Sequence, residues 1–326
     1  MSAFTPHPWQ PLPAPKLTDD FEKNDVLAGA TLVDVGAEGP EDVAIAVDGT
    51  MFTGTADGSI LAVTPSGEVS LVAHVGGRPL GVEMHGDDLV VSNADLGLQL
   101  VSRQGAIETL VDTINGDRMM LANNATIASD GTIYFTDSSQ RWNLEHYVND
   151  LVEGQPTGRV FARSPDGSVT QIAGDLQFAN GIALDGAEES IFIAETGRYR
   201  VYRRWIKGDR IGEAELFLDN LPGFPDNLSF GADTLWIGLA SPRQTAIDIM
   251  QPRSWMRNLT YRMPEALKPK PVRHGIVLGY DTNGGLTHNL QDATGTVAVT
   301  TSARFHDGRL VVGMLMDPAF AVYDLP

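Results

Sequence analysis

The chain has 326 residues, 34 glycines, 19 prolines, no cysteine and a formal charge of −19 at neutral pH. The lack of cysteine excludes disulfides, thiolate metal sites and cysteine nucleophiles, and fits a reducing compartment, so the expected location is cytoplasmic. The acid excess argues against a nucleic-acid partner and suits a cation site. No apolar run approaches the roughly 20 residues of a membrane helix, so no membrane partner is expected.

Residues 1–25 contain MSAFTPHPWQPLPAPK, which is proline-rich and reads as an extended arm. It lacks the basic-then-apolar order of a secretion signal. Residues 26–326 read as one closed domain. Gly29 to Val35 is a candidate strand able to complete the last repeat. From Glu41 onward one unit recurs: an apolar run, an Asp-Gly-type turn, then a second apolar run. The copies are EDVAIAVDGTMFTGTADG from Glu41, LGVEMHGDDLVVSNADLG from Leu80, NATIASDGTIYFTDSS from Asn124, NGIALDGAEESIFIAET from Asn180, NLSFGADTLWIGLA from Asn227 and a last one ending in HDGRLVVGML. The short, β-branched runs and turn signals predict hairpins. Six units, the first three about 40 residues apart, predict an all-β six-bladed propeller with four short strands per blade.

Two stretches exceed ordinary blade loops. One covers about 138–156, where Trp142, Tyr147 and Leu151 have rough helical spacing. The other covers about 241–273 and holds seven Lys or Arg against two Asp or Glu. Short helical insertions forming a lid are expected there.

Counting back seven residues from the hairpin turn reaches Glu41, Leu80, Asn123, Asn180 and Thr300, with Asp226 or Asn227 as the equivalent in the less regular fifth unit. In a propeller these positions begin the innermost strands. Carboxylate and carboxamide oxygens converging there would be costly to bury alone, and a hard cation relieves that cost. Glu41, Asn123, Asn180 and Asp226 or Asn227 are therefore candidate metal ligands, the alternative being that these Asn and Asp residues cap turns between blades. Ca²⁺ is the expected cofactor, with other divalent cations left open. Leu80, Trp142, Phe305 and His274 are candidate linings of a substrate pocket. His306 and His146 are more simply structural.

The runs EGPEDVAI, GRPLGV, IYFTDSSQRW, EGQPTGRV, FANGIAL, AETGRYRVYRRWIKG and LPGFPDNLSF resemble the strictosidine synthase-like proteins, and more remotely the paraoxonases and the gluconolactonase/SMP-30 group. The resemblance runs collinearly from about Val35 to the C-terminus. It implies a six-bladed propeller with a cation in the central channel. It also implies that Glu41, Asn123, Asn180, Asp226 and Asn227 match the calcium positions of the hydrolytic members, with Asp226 at the position of their usual general base. Two departures stand out. Phe305 lies where the condensing members are expected to carry a catalytic glutamate, which argues against alkaloid-forming condensation. Leu80 and Ala94 replace a histidine pair of the paraoxonases.

The reading that follows is a calcium-dependent hydrolase of lactones or carboxylic esters acting on a small-molecule substrate. Asp226, Glu41 and Asn123 are its candidate catalytic residues. The alternatives are a non-hydrolytic enzyme (an isomerase, lyase or condensing enzyme) on the same propeller, and a non-enzymatic binding propeller with a structural calcium. The oligomeric state is left open.

Overall fold

The computed structural model describes residues 3–326. Six four-stranded antiparallel sheets form the blades among the described residues, and in the first five the strands follow chain order from the innermost outward. The inner strands are Val43–Ile45, Pro79–His85, Ala122–Ile127, Ala179–Leu184, Gly223–Gly231 and Thr300–His306. Each meets the next around the ring, and the first meets the sixth. The sixth blade takes its outermost strand, Thr31–Asp34, from the other end of the chain, where it pairs antiparallel with Ala319–Asp324. The ring therefore closes by hydrogen bonding of the two chain ends.

The turns follow from local chemistry. Asp48, Asp130 and Asp166 each accept a hydrogen bond from the backbone N–H two residues on, all at 2.9 Å. The glycine that follows each Asp adopts a positive φ, as at Gly131 with φ +84°. In the fourth blade the second strand, Ser190–Glu195, is buried at every position, whereas the outermost strand Ala214–Leu218 exposes its first three. Middle strands are covered by a neighbouring strand on each side, and the outermost ones lie at the wet rim.

Two excursions stand over one end of the ring. The first carries helix α1 (Tyr147–Glu153); the second carries α2 (Thr245–Met250) and α3 (Ser254–Tyr261). The N-terminal segment crosses them. Phe4 stacks on Tyr261 with ring centroids 4.1 Å apart, and His7 N donates to Glu153 O at 2.8 Å. Arg257 of α3, fully buried, donates to His7 O at 2.7 Å and to Glu153 O at 3.1 Å. One guanidinium thus holds the arm, the C-terminus of α1 and its own helix together.

Candidate metal centre

Each carboxamide or carboxylate picked out by its repeat position lies at the same end of an inner strand, just where the strand departs from regular pairing. Register shifts bracket Asn123 (between Ala122 and Ala125), Asn180 (between Ala179 and Ile182) and Asp226–Asn227 (between Pro225 and Leu228). A bulge of this kind re-aims a side chain that regular alternation would commit to the faces between blades. Glu41 lies two residues before its strand. All five residues are buried: Glu41 4%, Asn123 3%, Asn180 3%, Asp226 7% and Asn227 1% exposed.

Hydroxyls of neighbouring strands hold the backbone beneath them. Thr301 Oγ1 donates to Glu41 O at 2.7 Å, Thr136 Oγ1 to Asn180 O at 2.8 Å, and Thr196 Oγ1 to Pro225 O at 2.6 Å. Asn123 Nδ2 donates to Ser138 Oγ at 3.0 Å, and that hydroxyl donates to Ala179 O at 2.7 Å. Blades meet tightly at Gly181, where a Cβ would run into the backbone of Asp226, Asn227 and Leu228. Only glycine lets Asn180 and Asp226 come this close.

The oxygens themselves are left over. Oδ1 of Asn123, Asn180, Asp226 and Asn227 has no hydrogen-bond partner among the described residues. A buried polar atom without a partner costs roughly 1–3 kcal/mol. Burial raises the Asp226 carboxyl well above the usual carboxylate range; Glu41 raises it further, and a hydrogen bond from the Asn180 side chain opposes the shift. Burial likewise pushes Glu41 up to about 7, with Arg78 opposing and Asp42 adding. Two buried carboxyls, one of them raised by the other, ionise together only at a cost that added positive charge would relieve. Two carboxylates and three carboxamides form a hard, all-oxygen donor set that suits Ca²⁺. No group of three or more His, Cys, Asp or Glu side chains is placed to hold a metal among the described residues, so any cation here depends on the carboxamides.

Arg78, absent from the sequence-based candidates, is part of this centre. It is buried, donates to Gly39 O at 2.8 Å and lies 3.4 Å from Glu41 Oε2, while its Nη1 has no partner. Its place two residues before Leu80, in GRPLGV, was the available signal.

Above the oxygens lies a pocket of about 120 Å³ with Asn180 and Asp226 in its lining. Its walls are largely apolar and come from α1 (Tyr147, Leu151), from α2 (Ile247, Met250) and from Phe178 and Phe224 beside the inner strands. The four pocket residues expected from sequence lie elsewhere. Leu80 packs one layer behind the wall, in an apolar cluster with Ala94, Leu121 and Phe178. Trp142 is 5% exposed, and its Nε1 donates to Glu153 Oε2 at 2.8 Å on the side of α1 facing the arm. His274 is a buried core residue whose Nε2 lies 2.9 Å from Gln291 Oε1. Phe305 sits near the other end of the sixth inner strand, paired in register with Leu310 and packed against Gly231. Its identity therefore says nothing about chemistry at the pocket, and the argument against condensation drawn from it falls.

Fold and site together define a six-bladed β-propeller with an oxygen-lined axial centre beneath an apolar pocket. The family model described as Strictosidine synthase matches residues 123–209, and that described as Strictosidine synthase-like, N-terminal, matches 19–63. An adipocyte plasma membrane-associated protein of Salmo salar is 31% identical over 95% of this chain and 82% of its own length. Protein STRICTOSIDINE SYNTHASE-LIKE 4 of Arabidopsis thaliana is 32% identical over 83% of this chain and 74% of its own. The chain belongs to the strictosidine synthase-like family. Among solved structures, a gluconolactonase from Xanthomonas campestris superposes with a TM-score of 0.68 at 18% identity, covering 93% of this chain and 92% of that one. Regucalcin from Agrobacterium tumefaciens, described as a calcium-binding protein, gives 0.66 at 14% identity over 91% and 94%. Among the described residues no helix is long and apolar enough to cross a membrane.

Proposed function

We propose that this protein is a hydrolase of lactones or carboxylic esters of a largely apolar small molecule, dependent on a divalent cation, with Ca²⁺ favoured by the donor set. The observation that carries the reading is that Asn180 and Asp226, each with a buried oxygen that lacks a partner among the described residues, are both residues of the apolar pocket's lining. Similarity of fold to a gluconolactonase and to a calcium-binding propeller supports it.

Glu41, Asn123, Asn180, Asp226 and Asn227 would hold the cation. When bound, it supplies polarisation of the substrate carbonyl and stabilisation of negative charge developing on the oxygen. Asp226 would accept the proton of the attacking water at its carboxylate, because it is the one carboxylate in the pocket lining. Asn180 would orient the carbonyl, and Asn123, set deeper and tied to Ser138, would keep the carboxamides in register. The apolar walls would exclude bulk water and align the rest of the substrate.

The test is a panel of lactones and aryl esters, assayed before and after chelation and with Ca²⁺ restored, with product masses recorded. Hydrolysis adds one water to the substrate, is lost on chelation and returns with Ca²⁺. Equal activity in metal-stripped protein, or a product of unchanged mass, would overturn the reading.

A further inference from the structure

Three features of the pocket rim are unexplained by the hydrolytic centre. The segment from Lys268 to Val272 runs across the mouth as Lys-Pro-Lys-Pro-Val. It is pinned along its length: buried Lys268 donates from Nζ to Asn149 Oδ1 of α1 at 2.6 Å, Gln244 Nε2 donates to Lys270 O at 3.0 Å, and Val272 N donates to Ser241 Oγ at 3.1 Å. Pro269 and Pro271 fix φ on either side of Lys270. The strap is therefore tied down by its backbone and by the lysine before it, and Lys270 is left to project.

Most cations of this basic excursion are engaged in holding it together. Arg243 binds Asp248 at 2.9 Å, Arg257 is enclosed by the arm and α1, and Arg273 binds Asp317 at 3.1 Å. Lys270 differs. It is exposed, it lines the pocket, and its ammonium has no ion-pair or hydrogen-bond partner among the described residues. Among the lining residues it is the one Lys or Arg, and Asp226 is the one carboxylate. The rest of the lining is largely apolar and includes Ile247 and Met250 on α2 and Leu151 on α1.

We propose that Lys270 selects the substrate by its far end: the pocket takes an apolar chain whose reactive carbonyl reaches Asp226 and whose remote end carries a carboxylate. This rests on the hydrolytic reading for the reactive end only. On a protein with a charge of −19, an anionic ligand is repelled at long range, so a fixed cation at the mouth is what makes such a ligand acceptable. A stiff strap lowers the entropy lost when the ion pair forms.

The experiment uses para-nitrophenyl monoesters of straight-chain dicarboxylic acids, each paired with the ester of the monocarboxylic acid of equal length. In the calcium-loaded protein at low ionic strength, kcat/KM should favour the carboxylate-bearing member by about three- to fivefold, the range of a partly exposed ion pair, and salt should narrow the gap. The ratio should fall toward unity in Lys270→Ala, persist in Lys270→Arg and invert in Lys270→Glu. A ratio that ignores the residue at this position overturns the proposal. If no ester is turned over at all, the hydrolytic reading fails and the selection is still tested by binding. Thermal shift by the monomethyl ester of a dicarboxylic acid should then exceed that by its dimethyl ester, with the order reversed in Lys270→Glu. Equal shifts overturn it.

Discussion

Lower in the central channel, Arg304 donates to both carboxylate oxygens of Glu83, at 3.0 and 2.8 Å, and lies 3.7 Å from Asp42 Oδ1. Asp42 in turn accepts from Val82 N at 3.1 Å and from Asn124 Nδ2 at 3.4 Å. Burial alone would lower the pKa of Arg304, but Glu83 and Asp42 outweigh it and hold the guanidinium above its ordinary value. At the upper mouth lie Glu41 and Asp226, and there Oδ1 of each of four side chains has no partner among the described residues. Arg78 approaches only Glu41, and the carboxyls of Glu41 and Asp226 are both raised. One end of the channel therefore carries its own counter-charge, and at the other the acids outnumber the one arginine beside them. Adjacent residues, Glu41 and Asp42, belong to the two different regimes.

The largest expected effect tests the upper end. Asp226→Ala should lower kcat/KM on any ester substrate by about 10²–10⁴-fold, as removal of a general base does. Calcium should raise the melting temperature of the native protein and leave that of the variant unchanged. Retained turnover would remove Asp226 from the chemistry. At the lower end, Arg304→Met leaves Glu83 and Asp42 without their cation and should cost about 3 kcal/mol in denaturant unfolding. Calcium should not restore that loss, whereas Glu83→Gln in the same background should recover part of it. Rescue by calcium would show that the two ends are not separate.

A third contrast is in pH. The folded-state value of Glu41, about 7, lies above its ordinary 4.5, so the folded protein holds the proton more tightly than the unfolded chain. That contribution is present in full below the lower value and is lost as pH rises through the upper one. Metal-free protein should thus melt at lower temperature as pH is raised from about 5 to about 8. With saturating calcium the trend should flatten or reverse, because metal ligands must be deprotonated. The smallest effect belongs to the supports: Thr301→Val removes the hydrogen bond to Glu41 O and should cost about 1 kcal/mol. Its melting curve, compared with and without calcium, reports whether that support acts through the centre.

The candidate ligands were legible because a repeat carries its own ruler. Seven residues back from the hairpin turn reaches a similar height on the inner strands, so Glu41, Asn123 and Asn180 line up without any coordinates. Phe305 came from the family resemblance and not from the count. It is on an inner strand too, but five residues past Thr300, which carries it away from the mouth. Trp142 and His274 had no ruler, since an insertion's fold depends on what it packs against. Trp142 turned toward Glu153, and His274 toward Gln291. Arg78 was hidden by its type: one arginine in a loop-like stretch looks solvated until Gly39 and Glu41 are seen beside it.

By itself, the sequence determined the blade count, the turns and the row of oxygen-bearing residues, since these depend on local patterning repeated at a near-constant interval. Only the tertiary structure decided which acid faced an arginine and which remained open. It also decided that the pocket wall is Phe178, Phe224, α1 and α2, and that Lys270 stands at the rim. Those outcomes follow from ring closure and from the docking of the excursions, which join residues far apart in the chain at distances that no local pattern encodes.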